Sequence, residues 1–391
     1  MEKVRFGIVG LGNQGSAYAS SFFVQGKVEN GVLTAVCDND PKKLEIFKQN
    51  VTADVKFFSD YKEMIDSGEI DAVLVDTPHY DHPEITSYAL SHGVHALCDK
   101  PAGVYTKQVR EMNEVADKSD KLFGMMFNQR ANCLYRKMRE LIVNGEIGEI
   151  IRVNWIITDW YRSQKYYDSV SWRATWKGEG GGVLINQCPH QLDLVSWITG
   201  MQPKKVNGFV KYGHFHDIEV EDEVTAYFEY ENGATGVFIT TTGEAPGTNR
   251  FEVSGTLGKI LCEDGKLILS KNSQDLRTFT KTFDQPFGRP KVEVKEVETD
   301  GQNLQHVAIT NNFANAILGK EELFVSGKEG IKGVELMNAI ELSGWKNGKT
   351  VTIPVNEKEY LKQLNKRCKK SKLKEVGEVI VADTRGTYGS K

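Results

Sequence analysis

The glycine loop near the N-terminus is the feature that most restricts how this chain can fold. It has the sequence GLGNQG, with Gly10, Gly12 and Gly15 in G-x-G-x-x-G spacing, between a predicted strand at 4–9 and a predicted helix at 14–25. In such a loop the first glycine permits a tight turn, the second lets the backbone approach a pyrophosphate, and the third allows close helix packing. Free N–H groups at the helix N-terminus then face the phosphate charge. The loop predicts a dinucleotide-binding βαβ unit, with an ordinary tight turn as the alternative.

Asp38 indicates which dinucleotide this unit binds. It stands 23 residues after Gly15, at the end of the second predicted strand. A carboxylate there accepts hydrogen bonds from ribose hydroxyls and repels a 2′-phosphate. No arginine stands beside it to receive such a phosphate. We therefore expect NAD, with NADP less favoured; a helix cap ahead of Pro41 is the alternative role for Asp38.

The first 127 residues predict a parallel sheet, because short apolar runs alternate there with longer amphipathic segments. Connections of this kind cross over right-handed and build a doubly wound α/β sheet. Beside the strand at 4–9, buried strands are expected at 33–37, 72–76, 94–98 and 122–127. Helices are expected at 41–49 and 84–92.

From about residue 149 the pattern changes to alternating polar and apolar stretches separated by turn signals, which predicts a large, mostly antiparallel sheet. We expect three parts: an NAD-binding domain at 1–127, an α+β domain for substrate binding and oligomerisation at 128–355, and a basic extension at 356–391. The strands expected in the second part are 150–157, 206–212, 224–230, 234–240, 259–262 and 350–354, and the helices are 308–318 and 331–342.

The charge balance argues against two classes of partner. Lysine and arginine number 49 against 53 aspartates and glutamates, for a formal net charge of −4, so no global basic field exists to hold nucleic acid or a membrane surface. The six cysteines form no Cys-x-x-Cys pair and are too sparse for a disulfide framework. No apolar run resembles a signal peptide or a membrane span. We expect a cytoplasmic protein with free thiols and a small-molecule ligand.

The C-terminal extension departs from this balance. It is interpreted as a solvated, partly helical tail, with a contact for an anionic partner as the alternative. The final residues, GTYGSK, are expected to form a flexible end or an arm that reaches another subunit. The basic residues of the extension are Lys358, Lys362, Lys366, Arg367, Lys369, Lys370, Lys372 and Lys374.

Four further blocks accompany the glycine loop. They are Thr77, Pro78, His79 and His82; Cys98, Asp99, Lys100 and Pro101; Asn128, Gln129 and Arg130; and Gly180, Gly181 and Gly182 with His190, Gln191, Leu192 and Asp193. In their joint order and spacing they resemble the Gfo/Idh/MocA family of oxidoreductases over about residues 3–355. The resemblance implies a Rossmann domain followed by a mostly antiparallel sheet that meets the nicotinamide. It also implies sugar or cyclitol substrates and homodimers or homotetramers.

The resemblance implies that Lys100 contacts the nicotinamide ribose and substrate, and that His190 accepts the proton. Two positions depart from the family pattern. Asp99 stands where a glutamate is usual, which keeps the charge. Asn186 stands where many members carry an aspartate, four residues before His190 on a helix predicted at 186–198; an amide can orient a hydroxyl but cannot take a proton. We therefore expect His190 to do more of the acid–base work, with Asp193 orienting its imidazole or binding a sugar hydroxyl.

Aromatic and charged side chains after the strand at 150–157 suit a carbohydrate, because aromatic faces stack on a sugar ring while polar groups bind its hydroxyls. An aromatic core patch or a subunit contact is the alternative. The expected substrate-binding residues are Lys100, Arg130, Trp160, Arg162, Tyr167, Trp172, Asn186, His190 and Asp193. The expected cofactor-binding residues are Gly10, Gly12, Asn13, Gln14, Gly15, Asp38, Asn39, Thr77, Pro78, His79, His82, Asp99, Lys100 and Asn128.

The function expected is hydride transfer between NAD and a secondary hydroxyl of a sugar, a glycoside, with C3 as a specific case, or a cyclitol. Two alternatives stay open: a glycosidase that retains NAD and oxidises C3 transiently, and a sensor without chemistry. No metal site is expected. Glu219, Glu221, Asp222 and Glu223 suggest a cation site, but a solvated sheet edge is favoured.

Overall fold

Six parallel strands form the first sheet of the computed structural model, which describes residues 3–50 and 54–375. The strands are β1 (Val4–Val9), β2 (Gly31–Cys37), β3 (Lys56–Phe58), β4 (Ala72–Val75), β5 (His95–Cys98) and β6 (Phe123–Met125). Their order across the sheet is β3-β2-β1-β4-β5-β6, with every neighbouring pair parallel. This is the order of a doubly wound sheet, so the prediction for this part is confirmed. The point where the order reverses lies between β1 and β4.

Helices connect these strands. They are α1 (Asn13–Ala17), which continues as a π-helical segment (Tyr18–Val24), α2 (Pro41–Asn50), α3 (Tyr61–Asp66), α4 (His82–Ser91), α5 (Thr106–Ala116) and α6 (Cys133–Val143), the last preceded by a 3₁₀ turn (Asn128–Ala131). The predicted helix at 14–25 is thus a short α-helix followed by wider turns. Strand β3 was not predicted, because it is an edge strand with two exposed residues and no continuous apolar run.

The second sheet has nine strands and is antiparallel apart from one parallel pair in its centre. The strands are β7 (Ile150–Ile157), β8 (Lys205–Tyr212), β9 (Glu221–Glu229), β10 (Thr235–Thr241), β11 (Asn249–Gly255), β12 (Gly258–Glu263), β13 (Lys266–Asn272), β14 (Val292–Glu296) and β15 (Val351–Thr352). Their order is β14-β13-β12-β11-β7-β10-β9-β8-β15, and β7 pairs with β10 in parallel. The predicted α+β architecture is confirmed. Strands β11, β13 and β14 were missed; β14, for example, is exposed along its whole length.

The remaining helices belong to the C-terminal two thirds of the chain. They are α7 (Gln164–Tyr167), α8 (Val183–Asn186), α9 (Pro189–Thr199), α10 (Leu276–Thr282), α11 (Gln305–Ile317), α12 (Gly330–Trp345) and α13 (Glu357–Cys368), with a 3₁₀ turn (Gly327–Glu329). Helix α11 returns to the first sheet: the ring of Phe313 is fully buried and lies 6.4 Å from that of Phe6. This return brings His306, in the first turn of α11, to 5.7 Å from the ring of Tyr18, in the helix that follows the glycine loop.

The C-terminal extension is packed against the second part of the protein. Tyr360 and Leu364 on α13 are each 1% exposed, and the Arg367 guanidinium lies 4.0 Å from the centre of the Trp345 ring. Beyond α13, Ser371 is buried and its hydroxyl contacts Glu219. The segment is partly helical, as predicted, and most of its lysines are exposed. The interpretation of a solvated tail is wrong only for the apolar face of α13 and for Ser371, which anchor the segment. The GTYGSK end lies outside the described residues.

The predicted solvated sheet edge is also wrong for two of its acidic residues. Glu221 and Asp222 are both fully buried. Glu221 accepts hydrogen bonds from the backbone amides of Gly182 and Leu184 at the start of α8, at 2.8 and 3.0 Å. Asp222 accepts from the amide of His214 at 2.9 Å, and its other oxygen contacts the His216 ring at 3.0 Å. These carboxylates bind backbone and ring N–H groups, which explains their burial.

Metal-ligand clusters and membrane-spanning helices are absent from the described ranges 3–50 and 54–375. There, no three His, Cys, Asp or Glu side chains are grouped so that they could hold a metal ion. Over the same ranges, no helix has the length and apolar character needed to cross a bilayer. The six cysteines all fall within them and are free thiols.

A pair of buried carboxyl groups should make stability depend on pH. Glu221 and Glu341 interact with one another, and burial raises the pKa of both, that of Glu221 to about 7. The folded state therefore holds a proton more tightly than the unfolded chain, whose glutamates titrate near ~4.3. The resulting stabilisation is fully present below that value and is lost as the pH rises through about 7.

We expect Glu341→Gln to remove much of this dependence, because an amide can donate to the Glu221 carboxylate at any pH. Melting temperatures measured between pH 4.5 and 8 test this. Glu359→Gln, on the surface of α13, is the control and should keep the wild-type slope. An unchanged slope in Glu341→Gln would show that the pair does not carry the effect.

Candidate active site

Two glycines of the loop are needed because a side chain there would clash with the protein's own backbone, whereas the third has free space beside it. Gly10 has φ of +98°, and a Cβ there would lie 2.1 Å from the Asp76 carbonyl oxygen. A Cβ on Gly15 would lie 1.9 Å from the Gly10 carbonyl oxygen. By contrast, a Cβ on Gly12 would meet no atom of the described residues within 4 Å. The space beside Gly12 is open toward the N-terminus of α1, which is where a pyrophosphate would need to approach the backbone.

This difference predicts opposite effects for two matched substitutions. Gly12→Ala should leave the melting temperature unchanged and weaken NADH binding by at least ~10-fold, because its methyl group enters the space for the pyrophosphate. Gly10→Ala should lower the melting temperature, because of its positive φ and the clash with Asp76. Fluorescence titration with NADH and thermal unfolding measure the two effects. If Gly12→Ala binds NADH as the wild type does, the loop is not the pyrophosphate site.

Asp38 is buried at the end of β2 and already has protein partners. It accepts a hydrogen bond from the Leu11 amide at 2.7 Å and forms an ion pair with the Lys43 ammonium at 3.1 Å. Sequence reasoning considered only neighbouring arginines and overlooked Lys43, which α2 brings to the carboxylate. Asn13 and Asn39 are exposed on either side of this corner, and Gln14 is half-buried. The predicted ribose-binding residues thus lie together at the carboxyl ends of β1 and β2.

The turns after β4 and β5 are tied together by His82. Its two ring nitrogens contact the carbonyl oxygens of Thr77 at 2.8 Å and Pro101 at 2.7 Å. The Thr77 hydroxyl is buried and has no hydrogen-bond partner among the described residues. Pro78, the next residue in the turn, is half-buried. His82 therefore positions backbone and has no nitrogen left for a ligand, whereas the Thr77 hydroxyl remains available to one.

Asp99 and Lys100 follow β5. The Asp99 carboxylate accepts from the Tyr18 hydroxyl at 2.7 Å and from the Lys100 amide at 2.6 Å. The Lys100 ammonium donates to the backbone oxygen of Asn186 at 3.0 Å. Burial lowers the pKa of Lys100, and the charges of Asp99, Asp76 and Glu179 oppose that effect. This contact joins the end of the first sheet to the loop that precedes α9.

His190 lies in the first turn of α9 and is 7% exposed. Its Nδ1 atom is buried and has no hydrogen-bond partner among the described residues. Burial, followed by the charge of Lys100 and then that of His306, lowers the pKa of His190 well below its usual value. The ring is therefore neutral near pH 7, and a neutral imidazole can accept a proton from a hydroxyl.

The helix predicted at 186–198 is confirmed as α9 except at its start, because the chain forms α8, a break at Gln187 and Cys188, and then α9. Pro189 starts α9 at its first position; it lacks an N–H and its ring excludes the helical continuation from α8. Asn186 and His190 therefore do not share a helix face. Asn186 instead ends α8, and its side chain is held by Tyr166, Gln187 and Glu179.

Three of the predicted substrate-binding residues are committed to partners inside the protein. Arg130 and Asp193, 1% and 2% exposed, form a bidentate ion pair with N–O distances of 2.8 and 2.6 Å. Asp193 is thus engaged with Arg130, whereas the expectation placed it against His190. Tyr167 is buried, and its hydroxyl donates to Thr242 at 2.7 Å. Asn128, predicted at the cofactor, is fully buried and donates to Gln305 at 2.8 Å.

The other aromatic and basic residues do gather beside Asn186. Arg162 and Arg173 lie 5.2 and 4.2 Å from the centre of the Tyr166 ring. Arg162 also contacts Trp160 at 5.9 Å, and Arg173 contacts Trp172 at 5.4 Å. This set, which we call the aromatic cluster, forms one wall near Lys100.

His79 joins the aromatic cluster to the first sheet. Its ring lies 5.9 Å from that of Trp172, and its Nδ1 lies 3.3 Å from the Glu179 backbone oxygen. Its pKa is well below the usual value, because of burial.

Sequence reasoning missed two ionisable residues at this site. Glu179, 1% exposed, precedes the three-glycine turn at 180–182 and contacts Asn186. His306 on α11 lies 5.7 Å from the Tyr18 ring, and burial lowers its pKa to about 4. Neither residue stands at a spacing that links it to the site. Only the folded positions of the three-glycine turn and of α11 bring them there.

Two family models match the chain. One describes an oxidoreductase family with an NAD-binding Rossmann fold and matches residues 4–127, and the other describes a GFO/IDH/MocA C-terminal domain and matches residues 135–261. The chain is 26% identical over 270 residues to a myo-inositol 2-dehydrogenase of Thermotoga maritima, covering 67% of this chain and 75% of that protein. It is 24% identical to a 1,5-anhydro-D-fructose reductase of Ensifer adhaerens, covering 71% and 78%.

The fold also resembles that of a solved relative. The WlbA dehydrogenase of Chromobacterium violaceum, solved with NADH and UDP-GlcNAcA, superposes with a TM-score of 0.77 at 24% identity. The match covers 91% of this chain and 97% of that one. At this identity the likeness concerns the fold.

Proposed function

The chain belongs to the Gfo/Idh/MocA family of NAD-binding oxidoreductases, and on that premise we propose that it transfers a hydride between NAD and a secondary hydroxyl of a sugar, a glycoside or a cyclitol. The observation that carries the proposal is the contact between Lys100 and Asn186, with His190, whose Nδ1 has no partner among the described residues, close to Lys100. Lys100 follows a strand of the first sheet and His190 lies on α9, so a cation and a neutral base from separate parts of the chain meet here.

The chain's own residues suit both the dinucleotide and a substrate with a reactive hydroxyl. The open side of Gly12, the buried Thr77 hydroxyl and the Asp38 carboxylate fit a dinucleotide held at the carboxyl ends of β1 and β4. When bound, the nicotinamide accepts or supplies the hydride. Lys100 lowers the energy of a developing alkoxide, and His190 takes the hydroxyl proton. We propose NAD as the cofactor because the Asp38 carboxylate stands at the end of β2, where it would repel a 2′-phosphate. Lys43 beside it is the reason to test NADP directly.

The aromatic cluster and the names of relatives support a sugar or a cyclitol as the substrate. Trp160 and Trp172 offer ring faces, and Arg162 and Arg173 offer hydrogen-bond donors. The relatives named above act on myo-inositol and 1,5-anhydro-D-fructose, by their names.

The proposal includes a homodimer or a homotetramer. On the second sheet, Tyr227, Val237 and Ile239 of β9 and β10 share a face and are only half-buried. Light scattering of the purified protein measures the assembly, and a monomer would contradict this part of the proposal.

The central experiment is an NAD reduction assay over free sugars, methyl glycosides and inositols, repeated with NADP. We expect reduced nicotinamide to form in proportion to oxidised product with at least one of these compounds. Bound NADH that survives dialysis, together with cleavage of a glycoside and no net reduction, would indicate the retained-cofactor glycosidase instead. NAD binding with no turnover of any compound would contradict the proposal and favour a sensor.

A further inference from the structure

Glu179 is a buried carboxylate at the candidate site for which the proposed reaction has no role so far. One of its oxygens accepts from the Ala174 amide at 2.5 Å, and the other accepts from the side-chain amide of Asn186. Ala174 has φ of +55°, a left-handed conformation that is unfavourable for a residue other than glycine. The loop thus adopts a strained turn to place its amide against this carboxylate.

The Glu179 carboxylate fixes the orientation of Asn186. An ionised carboxylate only accepts hydrogen bonds, so the Asn186 amide must turn its NH₂ group toward Glu179. Its oxygen then faces Tyr166 and accepts from that hydroxyl at 3.1 Å, and from Gln187 at 2.9 Å. The opposite orientation would set an oxygen against the carboxylate. In this arrangement the Glu179 carboxylate, the Asn186 amide and the Tyr166 hydroxyl all have partners. The Gln187 amide oxygen is buried and has none among the described residues.

Asn186 also joins Glu179 to Lys100. The backbone oxygen of Asn186 accepts from the Lys100 ammonium, and the side chain of the same residue contacts Glu179. The titratable groups that interact with Lys100 are the Asp99 and Asp76 carboxylates of the first sheet, the Glu179 carboxylate of this loop, the Cys188 thiol and the rings of His79, His190 and His306. Burial raises the pKa of Glu179, and the charges of Arg173 and Lys100 oppose that effect. Glu179 is thus the carboxylate that the second part of the protein contributes beside Lys100.

We propose that Glu179 is a positioning residue for the hydride-transfer site, which holds Asn186 and Tyr166 in one hydrogen-bond orientation and places a negative charge beside Lys100. The inference rests on the proposed function, because positioning has meaning only for a site that turns over.

An exchange of the acid and the amide tests this arrangement. Glu179→Gln replaces one of two acceptor oxygens by a donor, so either the Ala174 amide or the Asn186 amide loses its acceptor. Asn186→Asp puts a second carboxylate against Glu179. Each single variant should lower the melting temperature by roughly 3 °C or more. In the double variant E179Q/N186D, the new carboxamide at 179 can donate to the new carboxylate at 186. That carboxylate can still accept from Tyr166 and Gln187, so the melting temperature should return toward that of the wild type.

Turnover distinguishes positioning from a purely structural role. With the substrate found in the NAD reduction assay, Glu179→Gln should lower kcat by roughly 100-fold, the scale of a small displacement in a catalytic geometry. The alkaline limb of its kcat/KM profile should move to lower pH, because Lys100 loses a neighbouring negative charge. The double variant should recover both values in part. Glu335→Gln, a half-buried glutamate on α12, is the control and should match the wild type.

Each outcome bears on one proposal or the other. If the decreases in melting temperature caused by the two single substitutions simply add in the double variant, the hydrogen-bond arrangement is overturned. If they couple but Glu179→Gln keeps wild-type kcat and pH profile, the positioning role is overturned. A wild type that turns over no compound overturns the proposed function, and the positioning role with it.

Discussion

His190→Ala should lose about 10²- to 10⁴-fold in kcat, the range typical of removing a general base. The Nδ1 atom of His190 is buried without a partner among the described residues, and the low pKa keeps the ring neutral, so no protein group already uses its capacity to accept a proton. NADH affinity should change little, because the residues suited to the pyrophosphate and ribose lie on the first sheet. Steady-state kinetics and NADH titration on the same preparation measure the two quantities.

The control is His92→Ala, which removes an exposed histidine at the end of α4. It should keep both kcat and NADH affinity. Turnover at the wild-type rate in His190→Ala would remove this residue from the reaction and transfer the acid–base role to Lys100 or to water.

Breaking the buried ion pair between Arg130 and Asp193 should cause the largest loss of stability. Both side chains are almost fully buried, and removing one partner leaves a buried charge uncompensated, which typically costs about 3–5 kcal/mol. We expect this loss in Asp193→Ala, measured by urea unfolding. Glu329 also contacts Arg130, at 3.0 Å, but it is one-third exposed and compensates only in part.

The double variant Arg130→Met with Asp193→Leu should be more stable than Asp193→Ala alone, because it leaves no buried charge. Arg136→Ala breaks an exposed pair with Asp300 and should cost less than about 1 kcal/mol. If Asp193→Ala costs no more than Arg136→Ala, the pair does not stabilise the fold as its burial implies.

The parts of the fold that sequence predicted correctly are those in which side-chain periodicity reflects burial. Strand β7 was predicted with the bounds that the structure has, and it carries buried Val153 and Trp155 in alternation. Strand β14 has no buried residue, and β3 only a half-buried end, so neither has a periodic signal.

At the candidate site, sequence motifs predicted roles for Lys100, His190 and Asn186 but did not predict which residues hold them in place. The motifs are local, whereas the contacts of Glu179 with Asn186 and of Arg130 with Asp193 depend on how loops and helices come together. The same reason explains why Arg130, Asp193 and Tyr167 were expected at the substrate: their side-chain chemistry suits a sugar, but only the fold shows that other residues already occupy their polar atoms.

The packed C-terminal extension has a consequence for synthesis of the protein. Lys374 donates from its backbone to Ser171 at 2.9 Å and from its ammonium to the Tyr167 backbone oxygen at 3.0 Å, so it holds the loop that carries the aromatic cluster. On a ribosome every strand of both sheets is made before residue 374, since β15 ends at Thr352. The wall of the candidate site, however, lacks both Lys374 hydrogen bonds until that residue has left the exit tunnel. We expect a nascent chain that stops short of this point to carry both sheets beside a wall that is less firmly held.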